Sequence, residues 1–242
     1  MSIEPSIGAA LDGLWAVQQV DARLLDARAR LAALDDGSAL RAQVDAARAA
    51  AADVGAALHQ AQAAQRDHEL QLQTIEGKQK KAHGALYGGR VSNPKELASL
   101  EEELVVFAKT RDHLEDQILA LFDQVEGLKQ RDADARAVLA RLDAELGAHL
   151  AQYEAARDRI TAEVERLEAE RAERAVAVEP RLLRKYEGIA AQEGGIGMVA
   201  MLGVFCGGCG NEVPAHFVSR IRGGQVVTCE RCHRIIYVGG TP

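Results

Sequence analysis

Apolar residues recur at a strict seven-residue step along the second half of the chain. The series begins at Leu97 and ends at Leu167, and a second apolar series follows it three residues later, from Leu100 onward. Charged residues fill most of the other positions. An apolar heptad repeat held over this length is typical of a coiled coil. At 1.5 Å per residue, the helix that it predicts is roughly 105 Å long.

Three polar residues interrupt this seam, at Arg111, Asp132 and His149. Polar seam residues set register or mark a binding notch in some coiled coils, and reach solvent from a loosely packed seam in others. Asp132 lies at the midpoint of the seam and is a candidate to pair with a cation on the other helix. The pattern does not identify that cation.

An earlier stretch, residues 40–86, repeats the same spacing in alternating steps of four and three. Its seam is thinner, because alanine and glutamine replace leucine at many positions. Further upstream, an apolar series from Leu14 to Leu31 has the same rhythm, and we interpret Trp15 as a packing anchor. Between these stretches, Asp-Asp-Gly-Ser at 35–38 marks a kink, a stutter or a short break.

The segment HGALYGGRVSNPKELASLEEE, residues 83–103, joins the two long helices. Its glycines loosen the chain, Asn93 is a suitable N-cap for the second helix, and Pro94 suits the first helical position. Two helices of similar length joined by a short link fold back as an antiparallel hairpin. The sequence therefore predicts a hairpin over 1–178, with its tip at about 84–95, in a monomer or weak dimer.

The remainder of the chain, 179–242, is predicted to form a separate small domain. Pro180 ends the second long helix, because the residue before a proline is biased away from helical geometry. RLLRKYEGIAAQEG is then predicted to be a short helix, and MVAMLGVF after it a strand. The predicted fold class is mainly α, with a long antiparallel coiled-coil hairpin and a small C-terminal β zinc ribbon.

Composition agrees with this architecture and narrows the class of protein. Apolar residues make up 48% of the 242 residues, but much of this is alanine, and aromatic residues are only 4%. Alanine favours helix and buries little area, so a broad globular core is not expected. The sequence shows no signal peptide and no run of about 18 apolar residues, so we expect a cytoplasmic protein without a membrane span.

All cysteines lie in two Cys-x-x-Cys pairs separated by 19 residues, and they are Cys206, Cys209, Cys229 and Cys232. Two such pairs at this separation predict tetrahedral zinc, with a disulfide or redox pair as the alternative. Four sulfurs close the coordination sphere, so the single zinc ion is expected to be structural. We interpret His216 and His233 as surface residues. Short strands are expected from VPAHFVSRIRGGQVVT, residues 213–228, and from IIYVG after the second pair.

Several of these motifs together resemble one known family. LYGGRVSNPKEL, the leucine heptads after it, LLRKYEGI, CGGC and CERCHRIIY are similar to the bacterial C4-type zinc-ribbon family of coiled-coil hairpin proteins. The resemblance covers nearly the whole chain. It implies a helical hairpin with a zinc ribbon at its base, the four cysteines as ligands and no catalytic residue. It also implies partners of the kind that some family members bind: an alternative σ factor, flagellar or type III secretion components, or RNA.

The tip carries a local excess of positive charge in an acidic chain. Residues 76–95 have a net charge of +4, the next eight residues −4, and the whole chain −7. Charge runs are usually solvated, so a solvated loop is the simpler interpretation of the tip, and a docking site for an acidic protein surface or for RNA backbone is the functional one. An exposed apolar group such as Val91 favours docking, because the tip offers it no core. The candidate partner-binding residues are Lys78, Lys80, Lys81, Tyr87, Arg90, Asn93 and Lys95.

The ribbon offers a second candidate surface. Four arginines oppose two glutamates there, and zinc with four thiolates adds a charge of −2, which leaves the folded module near neutral. Arginine side chains can still contact phosphate from one face. The candidate nucleic-acid-binding residues are Arg220, Arg222, Arg231 and Arg234.

These charges and the absence of a catalytic cluster favour a non-enzymatic adaptor that binds protein partners, and the family resemblance implies a link to transcription or to secretion and flagellar regulation. The alternative is an RNA- or DNA-binding regulator that uses the basic tip and the ribbon. The sequence has no phosphate-binding glycine loop, nucleophile elbow or paired-carboxylate site, so no enzyme activity is expected.

Overall fold

The computed structural model describes residues 7–89, 91–223 and 225–238. Its helices are α1 (Ile7–Ala32), α2 (Ser38–Tyr87), α3 (Pro94–Val176), α4 (Pro180–Gln192) and α5 (Ala215–Arg222). Its strands are β1 (Met198–Leu202), β2 (Phe205–Cys206), β3 (Val227–Thr228) and β4 (Ile235–Tyr237). This is the mainly α fold, with a small C-terminal sheet, that the sequence predicted.

Contacts group the described residues into two compact units. One unit is 37–150, and the other combines the residues up to 36 with those from 151 onward. The predicted division at 178 and 179 stays a prediction, because contacts alone do not show which segments fold independently.

In the unit of residues 37–150, α2 and α3 pack along the predicted seams. Val44 and Ala61 of α2 and Leu114 and Val125 of α3 are buried. The other predicted seam positions in this unit are at least half-buried, and the positions between them are mostly exposed. An apolar stripe of this kind stabilises a helix pair by removing area from water. The heptad pattern therefore identified the packed face of both helices.

The two helices of this unit run antiparallel. Ala61 packs with Val125 in one apolar cluster, and Arg48 Nη2 lies 3.5 Å from Asp143 Oδ1. Residue numbers thus rise along α2 as they fall along α3, which only an antiparallel pair allows. The hairpin prediction is confirmed.

Residues at their N-terminal ends determine where α2 and α3 begin. The side chain of Asn93 accepts a hydrogen bond from the Lys95 backbone N–H at 3.0 Å, as an N-cap does. At the start of α2, Gly37 adopts a left-handed φ of 74°. A Cβ atom at Gly37 would lie only 2.9 Å from Cδ2 of His149, so this polar seam residue packs against the glycine. The pattern at 35–38 is therefore a short break between helices.

Asp132 does not pair with a cation on the other helix. Its Oδ2 lies 2.8 Å from Nε of Arg136, one turn further along α3, and its Oδ1 is buried without a hydrogen-bond partner among the described residues. Gly55 of α2 lies opposite, where a Cβ atom would come within 3.5 Å of Oδ1. The cross-helix pairing considered for Asp132 was wrong, because the facing residue carries no side chain.

Replacement of this seam carboxylate is expected to stabilise the protein. Asp132→Leu would remove a buried, unpaired oxygen and fill space opposite Gly55, while the lost ion pair involves a largely exposed Arg136 and contributes little. We expect the free energy of unfolding to rise by about 1 kcal/mol in urea denaturation. Asp134→Leu, at an exposed position of the same helix turn, is the control and should give no gain. A loss of stability in Asp132→Leu would contradict this account.

In the other unit, α1 packs against the C-terminal part of α3. Leu24 and Ala27 of α1 form a buried cluster with Ile160 and Leu167 of α3. Ion pairs flank this contact, such as Arg30 Nη2 with Glu163 Oε1 at 2.9 Å. Exposed pairs of this kind contribute little, so the apolar cluster holds the two helices together.

The same helix α1 also supports the sheet through a second cluster. Its buried residues come from α1, the α3–α4 link, α4 and the sheet, and they are Leu11, Leu14, Val17, Val178, Tyr186, Met198, Ile235 and Tyr237. Trp15 stacks on Tyr237 with ring centroids 5.1 Å apart, so its interpretation as a packing anchor is confirmed. The buried Gln18 side chain accepts the Met198 backbone N–H at 2.9 Å, which fixes β1 against α1.

The four strands form one sheet in the order β2-β1-β4-β3. β1 and β4 run parallel, with Met198 opposite Ile235, and the other neighbouring strands run antiparallel. Residues 213–228 supply the short strand β3 as expected, but Ala215–Arg222 in the same stretch forms α5, which the sequence did not predict. Phe217 and Ile221 in this segment have helical spacing, and both pack against the buried cysteines.

Candidate metal centre and partner surfaces

The four cysteines lie together in the ribbon. Each contributes a sulfur, and all four sulfurs lie within 4.8 Å of one another. Sγ of Cys206 is 3.7 Å from Sγ of Cys232, and Sγ of Cys209 is 3.7 Å from Sγ of Cys229. Four sulfurs at about 2.3 Å from a tetrahedral zinc ion would be about 3.8 Å apart. A disulfide needs about 2.05 Å, so the spacing fits zinc and not a disulfide.

Each Cys-x-x-Cys pair is held by the same backbone turn. In the first, the Gly210 N–H donates to the Cys206 carbonyl at 2.8 Å, and in the second the His233 N–H donates to the Cys229 carbonyl at 2.9 Å. Gly210 and His233 occupy equivalent places and both have positive φ, of 71° and 56°. The first turn also needs Gly207, because a Cβ there would come within 2.4 Å of the Ala200 carbonyl oxygen.

Backbone N–H groups point at the sulfurs from within these turns. Gly208 and Cys209 donate to Cys206 Sγ, yet burial raises the pKa of that thiol to about 12. Burial also opposes ionisation of Cys229, but N–H groups of Cys232 and Arg231 lower its pKa to about 7. The donors stabilise the thiolate form that zinc requires, and zinc binding releases the thiol protons. The residues thus fit one structural Zn²⁺ with a closed sphere of four sulfurs.

The two nearby histidines stay out of the sulfur cluster. His216 and His233 are both exposed, and His216 packs its ring against Phe217 with centroids 4.3 Å apart. Four cysteines already complete a tetrahedral site. These positions agree with the interpretation of both histidines as surface residues.

The predicted tip residues lie where α2 ends and α3 begins. Lys78, Lys80 and Lys81 of α2 are exposed, as are Asn93 and Lys95. None of these four lysine side chains forms an ion pair or hydrogen bond within the described part of the chain. The acidic residues that follow on α3, Glu96 and Glu101 to Glu103, are exposed and leave the lysines unpaired. The positive charge of the tip is therefore available to a partner.

The apolar groups at the tip differ in exposure. Tyr87 is 72% exposed, with its ring against His83 at a centroid distance of 4.6 Å. Val91 is half-buried, so the expectation that it is an exposed docking group was wrong. Arg90, also predicted to contact a partner, lies outside the described residues.

The candidate arginines of the ribbon are not equivalent. Arg234 Nε donates to the Ile196 carbonyl at 2.9 Å, and its Nη2 donates to the Glu193 carbonyl at 2.9 Å. Its guanidinium therefore links the end of α4 to the second cysteine turn. These N–H groups already donate within the protein, which leaves fewer of them for a phosphate. Arg220 lies over the Phe217 ring at 5.7 Å and donates to Gln225. Arg231 is exposed, whereas the side chain of Arg222 lies outside what the structure describes.

Sequence reasoning missed the polar network that supports the ribbon. Asp21 of α1 accepts from Tyr186 Oη and from Arg171 Nε, both at 2.6 Å, and Asp12 accepts from Tyr237 Oη. Burial and the bond to Asp12 raise the pKa of Tyr237 to about 12. The spacing of Asp12 and Asp21 on α1 gave no signal of these bonds, because their partners are at least 150 residues away along the chain.

Comparison with known proteins agrees with this architecture. The model of the CT398-like coiled coil hairpin domain matches residues 17–194, and that of the C4-type zinc ribbon domain matches residues 206–236. The chain belongs to the CT398-like coiled coil hairpin family and carries a C4-type zinc ribbon. The family resemblance inferred from the motifs is confirmed.

Two solved structures share the fold. CT398 from Chlamydia trachomatis is 20% identical, with a TM-score of 0.73 over 96% of this chain and 98% of that one. A protein from Mycobacterium smegmatis is 23% identical, with a TM-score of 0.66 over 98% of this chain and 100% of that one. No curated protein matches the chain. Among the helices that the structure describes, none is both long and apolar enough to cross a membrane.

Proposed function

We propose that the protein is a non-enzymatic adaptor that binds an acidic protein partner at the hairpin tip. One observation carries this proposal: the lysines of the tip are exposed and unpaired, and the same end of α2 carries an exposed tyrosine, Tyr87. Protein interfaces combine an aromatic anchor with charge that steers the partner. The closed sphere of four sulfurs gives the zinc ion a structural role, in agreement with an adaptor. By family resemblance, a σ factor or a secretion component is the kind of partner expected.

Charge reversal at the tip is expected to abolish capture of the partner. The variant Lys80→Glu/Lys81→Glu changes two exposed side chains that make no intramolecular bonds, so helicity by circular dichroism should stay unchanged. Partners would be cross-linked in the native cell and recovered with wild type or variant, with and without nuclease. We expect the wild type to retain a protein partner after nuclease and the variant to lose it by at least 10-fold, as removal of about 1.4 kcal/mol would require.

A matched variant controls for charge alone. Arg131→Glu/Arg159→Glu makes the same charge change at exposed α3 positions far along the helix from the tip, and should capture the partner like wild type. Equal capture by the tip variant and wild type would exclude the tip as the docking site. Loss of all partners after nuclease would favour the alternative, a nucleic-acid-binding regulator.

A further inference from the structure

The outward face of α4 carries a stripe of positive charge. Arg181, Arg184 and Lys185 are exposed and spaced three and four residues apart, so they share one face of the helix. The opposite face carries Tyr186, which is fully buried, and Leu182, which packs in the same core. The buried face fixes the helix, and the orientation of the cationic stripe follows from it.

These three cations are not neutralised by neighbouring acids. None of the three side chains forms a hydrogen bond or ion pair with the residues that the structure describes. The two acidic residues at either side of the stripe bind other groups. Glu179 caps the helix N-terminus, and Glu187 pairs with Arg171 at 3.0 Å. The stripe therefore presents positive charge to solvent, at the surface of a chain whose net charge is −7.

The composition of this face selects the kind of ligand. Its next member along α4 is Gly188, where a Cβ atom would meet open space, so the stripe itself continues without an apolar or aromatic side chain. Protein interfaces are anchored by apolar and aromatic groups, and single-stranded nucleic acids bind through stacking on aromatic rings. A helix that inserts into a membrane surface needs an exposed apolar face. Guanidinium groups without such anchors suit the phosphates of a double helix.

We propose that the α4 stripe, Arg181, Arg184 and Lys185, contacts the phosphate backbone of duplex DNA. The three charged groups suit phosphates and not base edges, and a stripe of five residues is too short to span the roughly 16 base pairs over which proteins contact the minor grooves of duplex RNA. The contact is therefore independent of base sequence. It goes beyond the adaptor function and does not depend on the tip, because the cations involved lie in the unit that contains the ribbon.

The number of cations sets the expected salt dependence. Three phosphate contacts give a slope of log affinity against log salt concentration of about −2.7. Affinity should then fall about 40-fold between about 50 and 200 mM salt. Binding of this kind is weak compared with sequence-specific recognition, and suits a surface that supports a partner already placed near DNA.

The test uses full-length, zinc-loaded protein and a fluorescent mixed-sequence DNA duplex, with anisotropy read across this salt range. Arg181→Gln/Arg184→Gln/Lys185→Gln should lose at least 10-fold in affinity at low salt, and its salt slope should fall towards zero. Arg181→Lys/Arg184→Lys keeps the charge and should keep the slope. Unchanged helicity and zinc content would show that each variant is folded, as expected for side chains without intramolecular bonds.

Two further variants separate this site from general electrostatics and from a protein interface. Lys78→Gln/Lys80→Gln/Lys81→Gln removes the same charge from the tip and should bind the duplex within about 2-fold of wild type. Val176, the last residue of α3, is an apolar side chain that is 88% exposed, and it tests whether an apolar contact contributes to binding. Val176→Ser should leave DNA affinity unchanged.

Several results would overturn the proposal. They are failure of wild type to bind the duplex at low salt, wild-type affinity in the α4 glutamine variant, and an equal loss in the tip variant. Tighter binding of an RNA duplex or of an acidic peptide than of the DNA duplex would assign the stripe to that ligand instead. Each result leaves the adaptor function to be judged separately, because partner capture depends on Lys80 and Lys81.

Discussion

Removal of zinc with a chelator is expected to unfold the ribbon while most of the helical circular dichroism signal remains. Cys206, Cys229 and Cys232 are themselves core residues, packed with Val199, Ile236 and the apolar side of α5. A core this small does not hold without its metal. Structural zinc contributes an apparent 10–16 kcal/mol, roughly, to the folding of zinc-finger peptides at neutral pH. Loss of the metal is thus a larger change than any single substitution elsewhere.

The protein carries its own reporter for this unfolding. Its one tryptophan, Trp15, stacks on Tyr237 of β4. When the sheet unfolds, Trp15 loses this cover, so its emission should shift to longer wavelength and return when zinc is restored. One zinc per chain is expected by metal analysis, and His216→Ala should keep it. Retention of the native Trp15 emission after complete zinc removal would contradict this account, as would loss of zinc in the histidine variant.

Leu14→Ala is expected to cost about 2–5 kcal/mol of folding free energy. Leu14 is fully buried, and its cluster joins α1 to α4 and to both central strands of the sheet. Alanine leaves a cavity that neighbours on three elements cannot all close. Urea unfolding, followed by Trp15 emission, measures the loss.

An exposed leucine provides the matched control for this truncation. Leu70 of α2 is 62% exposed, so Leu70→Ala should change the free energy of unfolding by no more than about 0.5 kcal/mol. Similar losses in the two variants would mean that the cluster around Leu14 does not support the fold as described.

The helical part of the fold was predictable because each residue's position in the heptad decides whether it is buried. Leu97, Val125 and Leu146 were assigned to the seam from spacing alone, and all are buried or half-buried. The zinc site was equally predictable, because each Cys-x-x-Cys pair forms its turn from residues within the pair and directly after it. In both cases, the spacing of residues within a short segment determines which side chains are buried or brought together.

The remaining features depend on contacts that no local pattern contains. Arg234 has the charge of a phosphate-binding residue, but two backbone carbonyls, 38 and 41 residues away along the chain, use its guanidinium. Asp132 faces a glycine because of the register between α2 and α3, which the heptads alone do not fix. Residues 213–228 contain both helical and extended segments, and Phe217 and Ile221 take helical geometry because the cysteine cluster offers them an apolar surface.

Helix α1 packs against segments that come much later in the sequence, and this order matters while the chain is synthesised on the ribosome. Helix α1 ends at Ala32, yet the residues that cover its apolar face begin at Ile160 and continue into β4. About 130 residues must therefore be translated between the helix and its first partner, which takes roughly 6–25 s at usual rates of synthesis. Throughout that interval the nascent chain displays the apolar stripe of α1 without its native cover. We therefore expect early ribosome-bound chains to be bound by chaperones and to be sensitive to proteases, until the second half of α3 emerges.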